Sequence, residues 1–427
     1  MAREMKDSGI AWIGEIPREW TTNTAFQLFT QVKNKNSDLR EKNLLSLSYG
    51  RIKRKDIETT DGLLPESFDG YNIIEANDIV LRLTDLQNDQ RSLRVGLATE
   101  RGIVTSAYLT LRNRSTSLPK YLYYYLHAFD ISKGFYGMGA GVRQGLNWDG
   151  LKWLKILSPS ASEQRRIADF LDAECARIDT VIEKTRASIE EYKKLKQSVI
   201  TQAVTKGIRP GRKMKDSGIE WIGEIPEEYT VQRIKHLGSY RNGLTYSPED
   251  ICDEEQGTLV LRSSNIQQGQ LCYNDNVFVN TKIAENLYVQ KGDIIICSRN
   301  GSRELIGKCA VVENDLCATF GAFMMMYRCD SPKYMYYILN SDVFRYYLST
   351  FLTATINQLT GGNFGNMAIV YCGDEKEQSE IVAYLDSETK QIDTLIANKE
   401  RLISELESYQ KSLIFEYVTG KKEVPVA

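Results

Sequence analysis

Histidine is nearly missing from this chain, which has two, His127 and His236, in 427 residues. Eight cysteines are present but form no Cys-x-x-Cys pair, and only the two histidines could help them, so a structural zinc site is not expected. Reduced thiols in a cytoplasmic protein are the expectation. No stretch approaches the about 18 apolar residues of a membrane span, and the first residues hold no hydrophobic signal core. Charge excess is missing too, with 54 Lys and Arg against 56 Asp and Glu and a formal net charge of -2. That excludes a protein that coats DNA through a global basic field.

Catalytic signatures are equally scarce. There is no Gly-x-x-x-x-Gly-Lys-Ser/Thr phosphate loop and no Asn/Asp-Pro-Pro-aromatic methyltransferase stretch. The glycines of residues 137–145 miss the dinucleotide-binding spacing, and that segment reads as a surface loop. Asp374, Glu375 and Lys376 have the residue types of a nuclease site, yet acidic residues in a first helical turn follow from the helix dipole alone. The chain is therefore expected to bind no metal or cofactor of its own and to perform no catalysis.

What is present is a doubling. Met5-Lys6-Asp7-Ser8-Gly9-Ile10-Ala11-Trp12-Ile13-Gly14-Glu15-Ile16-Pro17 returns 209 positions later as Met214 to Pro226, with only Ala11/Glu220 different. A long amphipathic stretch also occurs twice, at an offset of 214. Its first copy carries Ile167, Leu171, Ile178, Ile182, Ile189, Tyr192, Val199 and Ala203 on one stripe; its second carries Ile381, Leu385, Ile392, Ile396, Ile403, Leu406, Leu413 and Tyr417. These are coiled-coil seams. Ser160 to Glu163 and Asp374 to Glu377 fit capping boxes, and Gly207 and Gly420 mark the ends. About 44 residues make each helix roughly 65 Å long.

Between the repeats lie two variable blocks. In the first, residues 78–83 and 103–111 read as strands, and Pro119 opens a short helix. Residues 292–297 and 322–327, then Pro332, repeat that order in the second. The expected fold class is therefore α+β: two pseudo-twofold-related α+β domains joined by two long antiparallel coiled-coil helices. The expected boundaries are 1–17 for the opening motif, 18–159 for the first block and 160–206 for its helix. Then come 207–226 for the linker and repeated motif, 227–372 for the second block, 373–420 for its helix, and a tail at 421–427. Trp12 and Trp221, with the isoleucines beside them, are expected to pin the chain to the long helices.

Charge separates these segments. Residues 161–213 hold 12 Lys and Arg against 8 Asp and Glu, net +4; residues 373–427 hold 7 against 12, net -5, which favours pairing with each other. The first block is +5 (20 against 15) and the second -3 (12 against 15). Arginine, asparagine and glutamine are the side chains suited to bidentate contact with base edges. The candidates for DNA contact are Arg51, Lys53, Arg54, Arg91, Arg94, Arg114, Arg143, Gln144 and Asn147 in the first block. In the second they are Arg241, Arg262, Arg299, Arg303, Asn357, Gln358 and Asn363. The residues alone leave three readings open: a DNA reader on a scaffold, a coiled-coil assembly protein without nucleic acid, or a self-sufficient nuclease or methyltransferase. The missing motifs weigh against the last.

The doubled Met-Lys-Asp-Ser-Gly-Ile-x-Trp-Ile-Gly-Glu-Ile-Pro, followed by Glu163-Gln164-Arg165-Arg166-Ile167-Ala168-Asp169-Phe170-Leu171-Asp172 and by Glu377 to Asp386, resembles the specificity subunit of type I restriction-modification systems. The resemblance spans both halves. It implies two target-recognition domains, each reading half of a bipartite double-stranded DNA sequence, and paired helices that set the gap. It also implies two modification subunits that use S-adenosylmethionine to methylate adenine, and restriction subunits that use ATP and Mg. None of these cofactors would be bound by this chain. The acidic second block departs from what a DNA reader leads one to expect.

Overall fold

The computed structural model describes residues 3–58, 67–87, 93–139, 145–352 and 357–425. Two compact units divide it: Met1–Thr185 with Arg401–Ala427, and Arg186–Glu400. Each unit contains one variable block, one opening motif, and a stretch of both long helices.

Both units are built on the same sheet. In the first, Phe29–Gln31, Leu109–Asn113, Ile79–Leu81 and Val95–Leu97 form a four-stranded antiparallel sheet in that order. In the second, Gly238–Asn242, Met324–Cys329, Ile294–Cys297 and Cys309–Val311 do the same. Even the buried charge is copied. Arg112 forks onto Asp78, with Nε donating at 2.8 Å and Nη2 at 2.6 Å; Arg328 forks onto Asp293 at 2.6 and 2.7 Å. The second unit adds a sheet of Ile251–Cys252, Phe278–Val279, Thr258–Leu261 and Ala318–Phe320, whose last two strands run parallel. The expected continuous strand at 103–111 is two strands, because Tyr108 donates its amide to the Thr105 carbonyl at 3.1 Å and turns the chain.

The long helices are Ala161–Lys206 and Glu375–Val418. In the first unit Ile167, Leu171, Ile178 and Ile182 share a core with Leu413, Ile414 and Tyr417, with Ile403 and Leu406 at its edge. Phe170 meets Tyr417 at 4.5 Å, and Gln410 Nε2 donates to Asp179 at 3.2 Å. In the second unit Lys399 lies 5.5 Å from the Tyr192 ring, and Lys196 pairs with Asp393 at 2.7 Å. Partner numbers fall as helix numbers rise, so the pairing in each unit is antiparallel. Ile189 and Ile392 are buried, while Ile396 and Leu406 are half-exposed. Towards the end of the first helix the buried positions are Ile200, Ala203 and Val204 rather than Val199, as expected of a 3.6-residue turn drifting against a seven-residue repeat.

Each opening motif is a hairpin: Met5 pairs with Pro17, and Met214 with Pro226 in identical register. Trp12 packs on Phe415 of the second long helix at 6.0 Å and on Tyr125 and Phe129 of the short helix Pro119–Ile131. Trp221 differs from expectation. It stacks at 4.2 Å on Tyr346 of Asp342–Phe351, an added helix of the second block.

A polar lock seats each hairpin on a long-helix start. Trp20 Nε1 donates to Glu163 at 2.9 Å, Arg3 pairs with the same carboxylate at 2.7 Å, and the guanidinium lies 5.5 Å from the Trp20 ring centroid. In the second unit Tyr229 donates its hydroxyl to Glu377 at 2.6 Å, Arg212 Nη2 donates to Glu377 at 2.7 Å, and Arg212 lies 5.5 Å from the Tyr229 ring. These glutamates were expected to complete capping boxes. Their carboxylates are instead occupied by the lock, and the cap reduces to Ser160 Oγ accepting from Glu163 N at 3.3 Å and Asp374 accepting from Lys376 N at 3.0 Å. The opposite helix ends on the same spot. Gly207, at φ +70°, leaves no room for a Cβ beside the Tyr229 hydroxyl, and Gly420, at φ +72°, none beside Pro17.

Candidate nucleic-acid interface

Buried strands of the second unit empty into polar turns. Thr258–Leu261 runs into Arg262, Ser263 and Ser264; Ile294–Cys297 runs into Ser298, Arg299 and Asn300. Backbone bonds draw these turns together. Gly321 N donates to the Leu261 carbonyl at 3.0 Å, Arg299 N to the Phe323 carbonyl at 3.1 Å, and Leu359 N to the Ser298 carbonyl at 2.7 Å. Arg299 and Gln358 also form an antiparallel bridge. The result is a cleft of about 1170 Å³ whose walls include Arg262, Ser264, Arg299, Asn300, Asn357 and Gln358, over Leu244, Phe323 and Met324.

Arg262 and Asn300 are held by hydrogen bonds within the unit. Arg262 Nη2 donates to the Asp275 carbonyl at 3.0 Å and pairs with its carboxylate at 2.9 Å. Its Nε, like Ser264 Oγ, is buried with no hydrogen-bond partner among the described residues. Arg299 stands 5.1 Å from the centroid of the Phe323 ring and makes no ion pair among the described residues. Phe323 is 57 % exposed, a large apolar face left open to solvent. Asn300 Nδ2 donates to Ser263 Oγ at 3.1 Å. Among the described residues no Asp or Glu lines the cleft, although the block is acidic. An acidic domain thus has a basic, amide-rich mouth.

Four of the second-block candidates, Arg262, Arg299, Asn357 and Gln358, therefore line one cleft. Arg241 lies on the strand Gly238–Asn242, Arg303 donates to the Ser349 carbonyl at 3.3 Å, and Asn363 lies in the first turn of the short helix Gly361–Asn366; none of the three lines it. Ser263, Ser264, Asn300 and Phe323 were missed. The signal that marks three of them is a buried strand followed at once by an arginine-containing Ser/Asn turn, which occurs twice.

The first unit offers less. Arg94 is corrected outright: it is 0 % exposed, its Nη1 donating to the Arg82 and Thr84 carbonyls at 3.0 and 2.9 Å and its Nε to the Tyr136 hydroxyl at 3.2 Å. It is a buried brace, not a reader. Arg51 is paired with Asp179, Arg54 with Glu100, and Arg114 donates to the Phe26 carbonyl while lying 5.0 Å from that ring. Asn147 Oδ1 accepts from Gly150 N at 3.1 Å and caps the helix Trp148–Leu151, so a bidentate base contact would require that cap to open. Lys53 is exposed on the strand Arg51–Arg54. Arg91, Arg143 and Gln144 lie outside the described residues. Leu146 N donates to the Leu83 carbonyl at 2.9 Å, matching the Leu359 to Ser298 bond of the other unit.

No cluster of three metal-ligating side chains occurs among the described residues, and no described helix is long and apolar enough to cross a membrane. Burial pushes the Cys175 and Cys309 thiols up to about 12, so neither is poised as a nucleophile. Burial likewise drives His127 down to about 4, leaving it a neutral ring stacked 5.6 Å from Tyr123.

No family model matches the chain. The MjaVIII specificity subunit of a type I restriction enzyme from Methanocaldococcus jannaschii is 24% identical over 361 residues, covering 82% of this chain and 80% of that protein. The StySPI specificity subunit from Salmonella potsdam is 26% identical over 205 residues, and the EcoKI specificity subunit from Escherichia coli 25% over 206; each alignment covers 44% of the relative. Among solved structures, a chain from work on complex assembly and conformational transition of the type I R-M system has a TM-score of 0.71, at 16% identity, covering 95% of this chain and 99% of its own. The HsdS subunit from Thermoanaerobacter tengcongensis has a TM-score of 0.50 at 15% identity, covering 95% and 98%. In sequence over four-fifths of its length, and in fold over nearly all of it, this chain resembles the specificity subunits of type I restriction enzymes.

Proposed function

We propose that this chain is the DNA sequence-specificity subunit of a type I restriction-modification complex and is not itself an enzyme. Each unit reads one half of a bipartite double-stranded target. The paired long helices hold the two readers at a set spacing, and their outer faces seat two modification subunits, with restriction subunits joining the full complex. S-adenosylmethionine, ATP and Mg are then used by those partners.

The observation that carries this reading is the copying of one scaffold around two unlike blocks. Hairpin, lock, sheet and helix pairing recur in each unit, whereas the side chains at the mouths of the sheets do not. A repeated frame with divergent faces suits two ligands of one kind. The cleft in the second unit accounts for how an acidic block meets DNA: among the described residues its lining holds two arginines and three side-chain amides and no Asp or Glu. Partner subunits would supply much of the phosphate attraction, while the recognition blocks choose bases.

A mobility shift of the chain assembled with modification subunits is the test. Retention of DNA carrying the bipartite site, against excess competitor lacking it, is expected. Equal retention of both DNAs, or none, would leave the chain an assembly protein without a reading role.

A further inference from the structure

Resting on that reading, we infer that the cleft of the second unit reads a guanine through Arg299, held in reading position by Phe323. A guanidinium at an aromatic face keeps its N–H edge free while losing rotamer freedom, so less entropy is lost when it binds. Arg299 lies 5.1 Å from the Phe323 centroid, and its backbone is fixed at both sides, by its own amide on the Phe323 carbonyl and by the bridge to Gln358. Two parallel N–H donors match guanine O6 and N7, and no other base edge in the major groove offers two acceptors in that arrangement.

The neighbours fit the same task. Asn357 and Gln358 carry amides that can donate and accept at once, the pattern suited to an adjacent adenine. Arg262 differs from Arg299: Asp275 holds its Nη2, so it positions the wall rather than searching for a base. Its buried Nε and Ser264 Oγ remain without hydrogen-bond partners among the described residues. The exposed Phe323 is explained as well. With the Arg299 guanidinium 5.1 Å from its ring centroid, it serves as a platform for that side chain.

The experiment uses the full chain assembled with modification subunits and S-adenosylmethionine, acting on a pool of randomised DNA whose methylated adenines are then sequenced. Arg299→Lys keeps the charge and removes the fork. The expected result is loss of guanine preference at one position of one half-site, by about 5- to 150-fold, with the other half-site unchanged. That intact half-site is the internal control for folding. Phe323→Leu, which removes the platform and leaves the arginine, is expected to give a smaller loss at the same position. A motif unaltered in both variants would overturn the inference while leaving the proposed function standing. A wild-type complex with no bipartite motif would overturn both.

Discussion

Removing one heptad from each long helix, residues 190–196 and 393–399, is expected to shorten the gap between half-sites by about three base pairs without changing either half-site. Seven residues rise about 10 Å along a helix, and each base pair rises about 3.4 Å. Seven is also the number that returns the apolar stripe to its own face, so Ile189 and Ile392 regain partners of the same type. The two segments face each other, as the Lys196–Asp393 pair and the Lys399–Tyr192 contact require. The exposed ion pair is worth little and its loss is tolerated. Adenine-methylation mapping reads the gap directly, and an unaltered gap in a folded double deletion would remove the spacing role from the helices.

The second large effect concerns the lock. Arg212→Ala is expected to destabilise the second unit by about 3 kcal/mol, because it leaves the Glu377 carboxylate buried without its main partner. The Glu377 side chain is 4% exposed, and Arg209, at 3.6 Å, only partly replaces what is lost. Thermal unfolding checks this, with a drop of roughly 6–12 °C for a unit of this size. The same site makes stability depend on pH. Burial pushes the Glu377 carboxyl up, but hydrogen bonds from Arg212 and Tyr229 outweigh it and hold the group below its ordinary range. A depressed carboxyl contributes its full stability above the unfolded-state value of about 4.3 and loses it as pH falls through the folded one. Glu377→Gln should therefore flatten the acid-side decline of the second unit, and an unchanged slope would assign that decline elsewhere.

Sequence patterns made the frame legible because the frame is local and repeated. The repetition of the opening motif, the seam at Ile167, Leu171, Ile381 and Leu385, and the glycine ends of the long helices all follow from spacing along one stretch of chain, whereas the folding of each opening motif as a hairpin is seen only in the structure. The lock was half visible: Glu163 and Glu377 were marked as helix-start residues, but their partners Trp20 and Tyr229 lie 143 and 148 positions away. Distance along the chain also hid the cleft, whose lining runs from Leu244 to Gln358. Arg94 misled because a buried arginine and a reading arginine share one letter; what separates them is which carbonyls the fold brings within reach. Asn147 has a second role that its letter does not separate from the first, since an asparagine before a helix is as suited to capping it as to meeting a base.

The central claim is that the chain holds two independent readers, and one measurement addresses it most directly. Residues 18–159 are exchanged for the corresponding block of another such chain, and adenine methylation by the assembled complex is mapped across a genome. One half of the bipartite motif is expected to change while the other half and the gap stay as they were. A motif altered in both halves, or in neither, would contradict the account.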